Sequence, residues 1–397
     1  MPELKSLTTA AELPVGFRFN EVSAILPRIR NLPVNLTPSL GPLAAFTGTW
    51  TGSGFNTIFR PQNAKTPTQL PVMQPGSDNI LELNLTSETL SFSPALGSVP
   101  NRGMVQGDMF LNGVPYLQSI NDVTIANTST GIHLEPGLWL AIPATDDPKE
   151  GFTVARMASI PHGTTIVAQG FSTTLNGKPA IPTVDITPFS AGNPAQKIPF
   201  DSQKAATQGT PRIPQDLTSW ISAGTITQAM LDDPNTLLRE HIANQNIVST
   251  TVINISTSPA NPLFGGGTDN IAFLLGAPSA LTNPNPAVQN AQTVQMTATF
   301  WIETIEVLLH VPIFTPGQPA LTLHPDTPAH PGQPMPAFTV TPPHAITAPI
   351  TLKFHTTQIQ YSQTVFLNFN GLTWPHVSVG TLVPHAAVPV PPSAWTS

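Results

Sequence analysis

Forty-six prolines are spread along 397 residues, and they restrict the fold more than any other feature of the chain. A proline inside a helix removes a hydrogen bond and clashes with the preceding turn. Twenty-seven glycines punctuate many of the intervals between them. Long uninterrupted helices are excluded, and short strands joined by turns are expected. The apolar share of 40% is enough to build a core, and the net charge of −7 is too small for a disordered chain. Only 9% of residues are charged, where about 25% is usual. The expected fold class is all-β.

Composition also removes several functions. Without cysteine there are no disulfides, no thiol nucleophile, no cysteine-ligated zinc and no iron–sulfur cluster. Fifteen Lys and Arg stand against 22 Asp and Glu, with no basic cluster to track a phosphate backbone, so nucleic acid is not an expected partner. No segment reaches the roughly 20 apolar residues of a membrane helix, and the N-terminus lacks the apolar core of a signal peptide. A cytoplasmic location is the default expectation, with export by a non-classical route left open.

Residues 1–42 are interrupted by Pro14, Pro27, Pro33, Pro38 and Pro42 and read as a wrapping N-terminal arm. From Phe46 to Gly54 the pattern changes to strict alternation. Phe46, Gly48, Trp50, Gly52 and Gly54 fall on one face and Thr47, Thr49, Thr51 and Ser53 on the other, which marks a strand. Strands are expected at Ile80–Leu85, Thr89–Phe92, Gly103–Phe110, Gly131–Ile142, Phe152–Ile160 and Thr164–Phe171, spaced as a meander. Residues 43–178 would thus form the first part of a barrel. Residues 179–292 read as an insertion carrying strands and one short helical segment, in which Thr225 or Thr227 caps a first turn and Asp233-Pro234 starts a second. Residues 293–397 would supply the closing strands, interrupted by a Pro-rich insertion at 312–349 with eleven prolines and three histidines. A second β-subdomain built from the insertions fits this reading.

Four stretches, in order, resemble one family. Phe46-Thr-Gly-Thr-Trp50-Thr-Gly-Ser-Gly54 is similar to the opening strand of calycin barrels, and most to nitrobindin and related haem-binding-like barrels. Gly131-Ile-His133-Leu-Glu135-Pro-Gly137-Leu-Trp139 resembles the mid-barrel strands, and Ile160-Pro-His162 through Gly170 the strand after them. Gln360–Val365 with Gly371–Leu382 resembles the last two strands. The resemblance implies a calycin-like antiparallel β-barrel with long insertions, binding haem b, with iron held by His376 at the start of the final strand. Trp50, Gly52 and Ser378 would line the cofactor. The chain departs from the family in its length, in its two insertions and around Val383-Pro384, where a basic residue is usual.

The residues themselves allow several chemistries. Trp374, His376, Ser378 and Gly380 share a strand face by alternation, so a neutral imidazole would have room beside it. The alternative is a hydrogen-bonded histidine at a strand start. His133 and Glu135 share another face and His162 begins a later strand. Together they read either as a nitrogen–oxygen metal site, as a solvated or buried hydrogen-bonded pair, or, if haem is present, as groups on its distal side. In a peroxidase-like extension a distal histidine would act as general base and Arg156 would stabilise developing charge, although a rim arginine with a packed stem is the plainer expectation for Arg156. Glu303 would be an acid or base if enclosed, but is expected to be exposed. Two rival functions remain: a haem-free barrel for a small hydrophobic ligand, for transport or cofactor-free catalysis, and a structural or interaction protein.

Overall fold

The structure is a computed structural model and describes residues 37–74, 76–259, 265–276, 288–325 and 330–395. Ten strands carry the architecture: β1 (Gly48–Pro61), β2 (Asn79–Phe92), β3 (Met109–Asp122), β4 (Thr130–Ile142), β5 (Thr153–Ile160), β6 (Thr164–Asn176), β7 (Asn246–Ser256), β8 (Gln292–Val311), β9 (Ile350–Phe369) and β10 (Leu372–Pro384). Each pairs antiparallel with its successor, and β10 returns to β1 in a register running from Trp50↔Pro384 to Thr57↔Val377. The result is a closed ten-strand up-and-down barrel, which leaves no unpaired edge. The all-β class and the meander expected from turn spacing are both found.

Two strands differ from their expected positions. Residues 102–108 form an exposed loop, not the strand Gly103–Phe110, and Met104 there is fully exposed. The barrel strand is β3, whose Asn112, Gly113 and Pro115 imitate a turn while Val114, Tyr116, Gln118 and Ile120 alternate into the buried interior. The two segments expected between Ile80 and Phe92 are a single strand, because Thr86 and Glu88 look like a polar break but are buried inside the barrel.

One end of the barrel is shut by aromatic packing. A 3-10 turn at Gly41–Ala45 inserts Leu43, and Phe46 stacks on Phe92 with ring centroids 4.7 Å apart, beside Trp139 and Phe300. Residues 1–36 of the expected arm lie outside the described residues. At the same end, Gly52 and Gly54 let β1 and β10 approach each other. A Cβ on Gly52 would stand 1.9 Å from the Thr381 carbonyl oxygen, and one on Gly54 2.0 Å from that of Val379, distances no side chain tolerates.

The insertion after β6 covers the outside of the barrel with three short helices, α1 (Thr218–Ala223), α2 (Gln228–Asp232) and α3 (Asn235–His241). Thr227 caps α2 by accepting from the Met230 amide, as its sequence position suggested. Met230, Leu231, Leu237 and Leu238 are buried in the main core, and α3 is tied to the wall where Gln360 Nε2 donates to the Leu238 carbonyl at 3.0 Å. The boundary of 179–292 needs correction: Asn246–Ser256 is the barrel strand β7, paired with β6 and β8. Its Thr-rich, half-polar sequence resembles a surface strand because its outer face is polar.

β8 and β9 are 20 residues long and outrun the barrel. Beyond Ile359↔Leu382, where β9 ceases to pair with β10, they pack against a separate small sheet of Leu321–Leu323, Phe338–Val340 and Val388–Pro389. Val307, Leu309, Phe314, Phe338, Val340 and Phe354 form a second core there. The Pro-rich insertion thus builds outward from the aromatic-closed end.

Candidate functional site

The face of β10 that carries His376 and Ser378 looks into the barrel. Their cross-strand neighbours are Asn56 on β1, opposite Ser378, and Val365 and Gln363 on β9. Unlike the deeper interior, His376 and Ser378 keep partial exposure, so this end forms a mouth. Asn56 holds the group together. Its Nδ2 donates to Ser378 Oγ at 2.7 Å and lies 2.8 Å from His376 Nε2, while its Oδ1 accepts from Asn84 Nδ2 at 3.2 Å. His376 Nδ1 makes no hydrogen bond among the described residues. Burial, and then the neighbouring His133 and His162, push the His376 imidazole down to about 3, so the ring is neutral across the physiological range.

His133 and His162 approach the same end, with ring centroids 6.2 Å apart. His162 sits exposed in the β5–β6 turn, its pKa lowered by desolvation and by His133. His133 is half-buried and lies 3.2 Å from Glu135 Oε2. The two do alternate onto one inward face, but Glu135 is spent elsewhere. Its Oε1 accepts from Arg156 Nη2 at 2.5 Å and from the Tyr116 hydroxyl. Burial alone would raise the Glu135 carboxyl, but the Arg156 charge and the hydrogen bonds of His133 and Tyr116 hold it down to about 2. No three His, Asp or Glu side chains converge as a metal-binding group among the described residues.

Arg156 is not at the rim. It is 2% exposed and spans the barrel interior, with Nε donating to the Tyr116 hydroxyl at 2.7 Å and Nη1 to Gln363 Oε1 at 2.7 Å. The guanidinium also lies within 5.4 to 5.7 Å of the Tyr116, Trp139 and Phe300 ring centroids. The network continues through Gln118 Nε2, which donates to Glu88 Oε1 at 2.7 Å, and Tyr361, which donates to Glu88 Oε2 at 2.6 Å. An arginine so engaged is held by side chains of three other strands, β3, β4 and β9. The chain's two tyrosines are thus both inside, each serving a buried glutamate. Each also lies over a glycine of the next strand, Tyr116 over Gly137 and Tyr361 over Gly380, where an added Cβ would collide with the ring.

The remaining expected site residues separate. Trp50 and Gly52 pair with Pro384 and Leu382, toward the closed end, whereas His376 lies beyond the Asn56↔Ser378 pair. The Trp50 indole donates to the Thr47 carbonyl at 2.8 Å; neither residue lines the mouth, because strand direction puts them at the opposite end of β1. Trp374 is fully buried against Phe369, Phe59 and Phe200. Glu303, expected to be exposed, is 0% exposed on the barrel wall, beside Gln358, which in turn bonds Gln245 of the insertion, a cover that strand alternation alone does not reveal. Burial pushes its carboxyl up to about 8, against a hydrogen bond from Gln358 Nε2 at 2.8 Å.

Asn56 and Asn84 are the site residues that sequence reasoning missed. The signal was present, since Gly52, Gly54 and Asn56 continue one alternating face.

No family model matches this chain, and no curated protein does. Among solved structures, the chain is similar to the crystal structure of Rv2717c from M. tuberculosis, with 10% identity and a TM-score of 0.32 over 89% of this chain and all of that one. That degree of likeness adds nothing to the barrel already described.

Proposed function

We propose that this chain is a haem-binding barrel with His376 as its iron ligand at the open end. The observation that carries this reading is the state of His376: an uncharged imidazole on a rigid strand, with one nitrogen anchored by Asn56 and the other without a protein partner. Ligating histidines are oriented in this way through their second nitrogen. With the Asn56 and Asn84 amides both turned over, so that the hydrogen bond between them is kept, Nε2–H donates to Asn56 Oδ1 and the Nδ1 lone pair is free for iron. Bound haem would supply reversible binding of a gas or a redox centre. His133 and His162, which depress the His376 pKa through their charge, would be the donors closest to a ligand on the opposite side. The commitment of Arg156 to Glu135, Tyr116 and Gln363 favours ligand binding over peroxide turnover.

A second reading, a haem-free site for a small organic ligand, is favoured by the Asn56 amide as it stands. Donating to Nε2, it leaves Nδ1–H as a donor toward the mouth. One experiment separates the two. The protein is purified with haem supplied, and its absorption spectrum is compared with that of His376→Ala. A Soret band lost on substitution is expected. A band that survives moves the ligand to His162 or His133. No band in either protein rejects haem, and native mass spectrometry of the untreated protein then tests for a retained organic molecule.

A further inference from the structure

The outer wall of the barrel carries a surface unrelated to the mouth. Across four neighbouring strands, β6 to β9, Phe171, Asn254, Thr299 and Ser362 stand in one cross-strand row. Two residues along, Ser256, Thr297 and Thr364 form the next. Strands about 4.8 Å apart and a repeat of about 6.8 Å along each strand make this a regular grid of hydroxyl and amide groups. It floors a groove of about 510 Å³, walled by Pro182–Val184 of the insertion and by Asn235.

Three features of the groove point to one kind of ligand. No side chain lining it is ionisable, so neither an anion nor a cation would find a counter-charge. Its polar groups are largely unspent. Thr299 Oγ1 donates to Asn254 Oδ1 at 2.9 Å, but the hydroxyls of Thr297, Ser362 and Thr364 have no protein partner among the described residues. Asn235 is 2% exposed, its Nδ2 donates to the Pro182 carbonyl at 2.8 Å, and its buried Oδ1 has no partner. An apolar ligand would cut the hydroxyls of Thr297, Ser362 and Thr364 off from water without replacing the lost hydrogen bonds. At the rim, Phe171 is 50% exposed and presents a flat apolar face.

We propose that this groove binds a neutral saccharide. Sugar hydroxyls both donate and accept at a spacing the grid can meet, while the C–H face of a pyranose covers the Phe171 ring. The site is independent of His376 and of any cofactor held there.

The test is a calorimetric titration of the full chain with cellotetraose and, separately, maltotetraose. Saturable binding of at least one is expected, weakened about three- to tenfold by each of Phe171→Ala and Asn254→Ala, the cost of one ring contact or one neutral hydrogen bond. His376→Ala should bind the sugar as the unaltered chain does. Melting curves of the variants verify folding, which substitution at these partly exposed positions leaves intact. Absence of saturable binding by both sugars overturns the proposal, as does binding that neither Phe171→Ala nor Asn254→Ala weakens.

Discussion

Arg156 and Glu135 show how a single buried pair governs this barrel's interior. Removing the cation alone, in Arg156→Met, strands a carboxylate that is 0% exposed, and a loss on the order of 3 to 5 kcal/mol is expected in urea unfolding at pH 7. Removing both, in Arg156→Met with Glu135→Leu, should recover most of that loss, because the desolvation cost disappears with the charges. The pair also has a pH signature. The Glu135 carboxyl is held near 2 against an ordinary 4.5, so its stabilisation is complete above about 4.5 and is lost as pH falls toward 2. His376, neutral down to about 3, weakens the fold earlier, as pH falls from 6.5 toward 3, because only the unfolded chain then takes up the proton. Glu303 acts in the opposite direction. Its folded pKa of about 8 exceeds the ordinary 4.5, so the folded protein retains a proton that the unfolded chain releases, and stability declines as pH rises from 4.5 to 8. Glu303→Gln should remove that decline, gaining on the order of 3 kcal/mol at pH 8 and little at pH 4. Parallel decline in both proteins between those pH values would refute this account of Glu303.

At the scale of elements, alternation was legible wherever both faces had a clear character. β1, β4, β5 and β10 could be read from Phe46–Gly54, Gly131–Ile142, Phe152–Ile160 and the alternation of Trp374, His376, Ser378 and Gly380, and with them the shared face of His133 and Glu135 and that of His376 and Ser378. Legibility failed where a barrel turns polar inside. Thr86 and Glu88 looked like a gap in β2 because sequence alone does not reveal that Tyr361 and Gln118 satisfy Glu88 from other strands. β3 was hidden by Pro115, which a strand accommodates only at particular ladder positions. The glycines of β1 are where the β10 backbone comes closest. This makes Gly52→Val a sharp test of closure. Its side chain would enter the space of the Thr381 carbonyl, so the β1–β10 ladder must open, with a loss on the order of 3 kcal/mol or failure to fold. Gly48→Val is no control, because Gly48 has a positive φ of 65°. Thr51→Val, on the partly exposed face of the same strand, serves instead and should change stability by less than about 0.5 kcal/mol.

The whole molecule contains two cores joined by two continuous strands. The main core lines the barrel and extends under α2 and α3, while the second gathers Val307, Leu309, Phe314, Phe338, Val340, Leu352 and Phe354 where β8 and β9 extend past their neighbours. This division explains why the chain can carry a Pro-rich insertion of such length without obstructing the mouth. The insertion folds on its own small sheet at the aromatic-closed end, and reaches back along the barrel's exterior through Gly332, whose carbonyl accepts from Ser53 Oγ at 2.6 Å, and Gln333, whose Nε2 donates to the His241 carbonyl at 2.7 Å. Strands shared between two cores transmit stability only as far as the side chains packed on them are shared, and cooperative units usually follow packing more closely than chain continuity. Phe338 is 0% exposed and meets Phe354 edge to face with centroids 4.9 Å apart, so Phe338→Ala should cost the second core about 3 kcal/mol or more. Hydrogen exchange should then accelerate in Leu321–Leu323, Phe338–Val340 and the outer ends of β8 and β9, while β1, β4 and the inner half of β10 keep their protection. Equal acceleration throughout the barrel would mean that the two cores unfold as one, and the exterior contacts at Gly332 and Gln333 would then be strong enough to bind the second core's stability to that of the barrel.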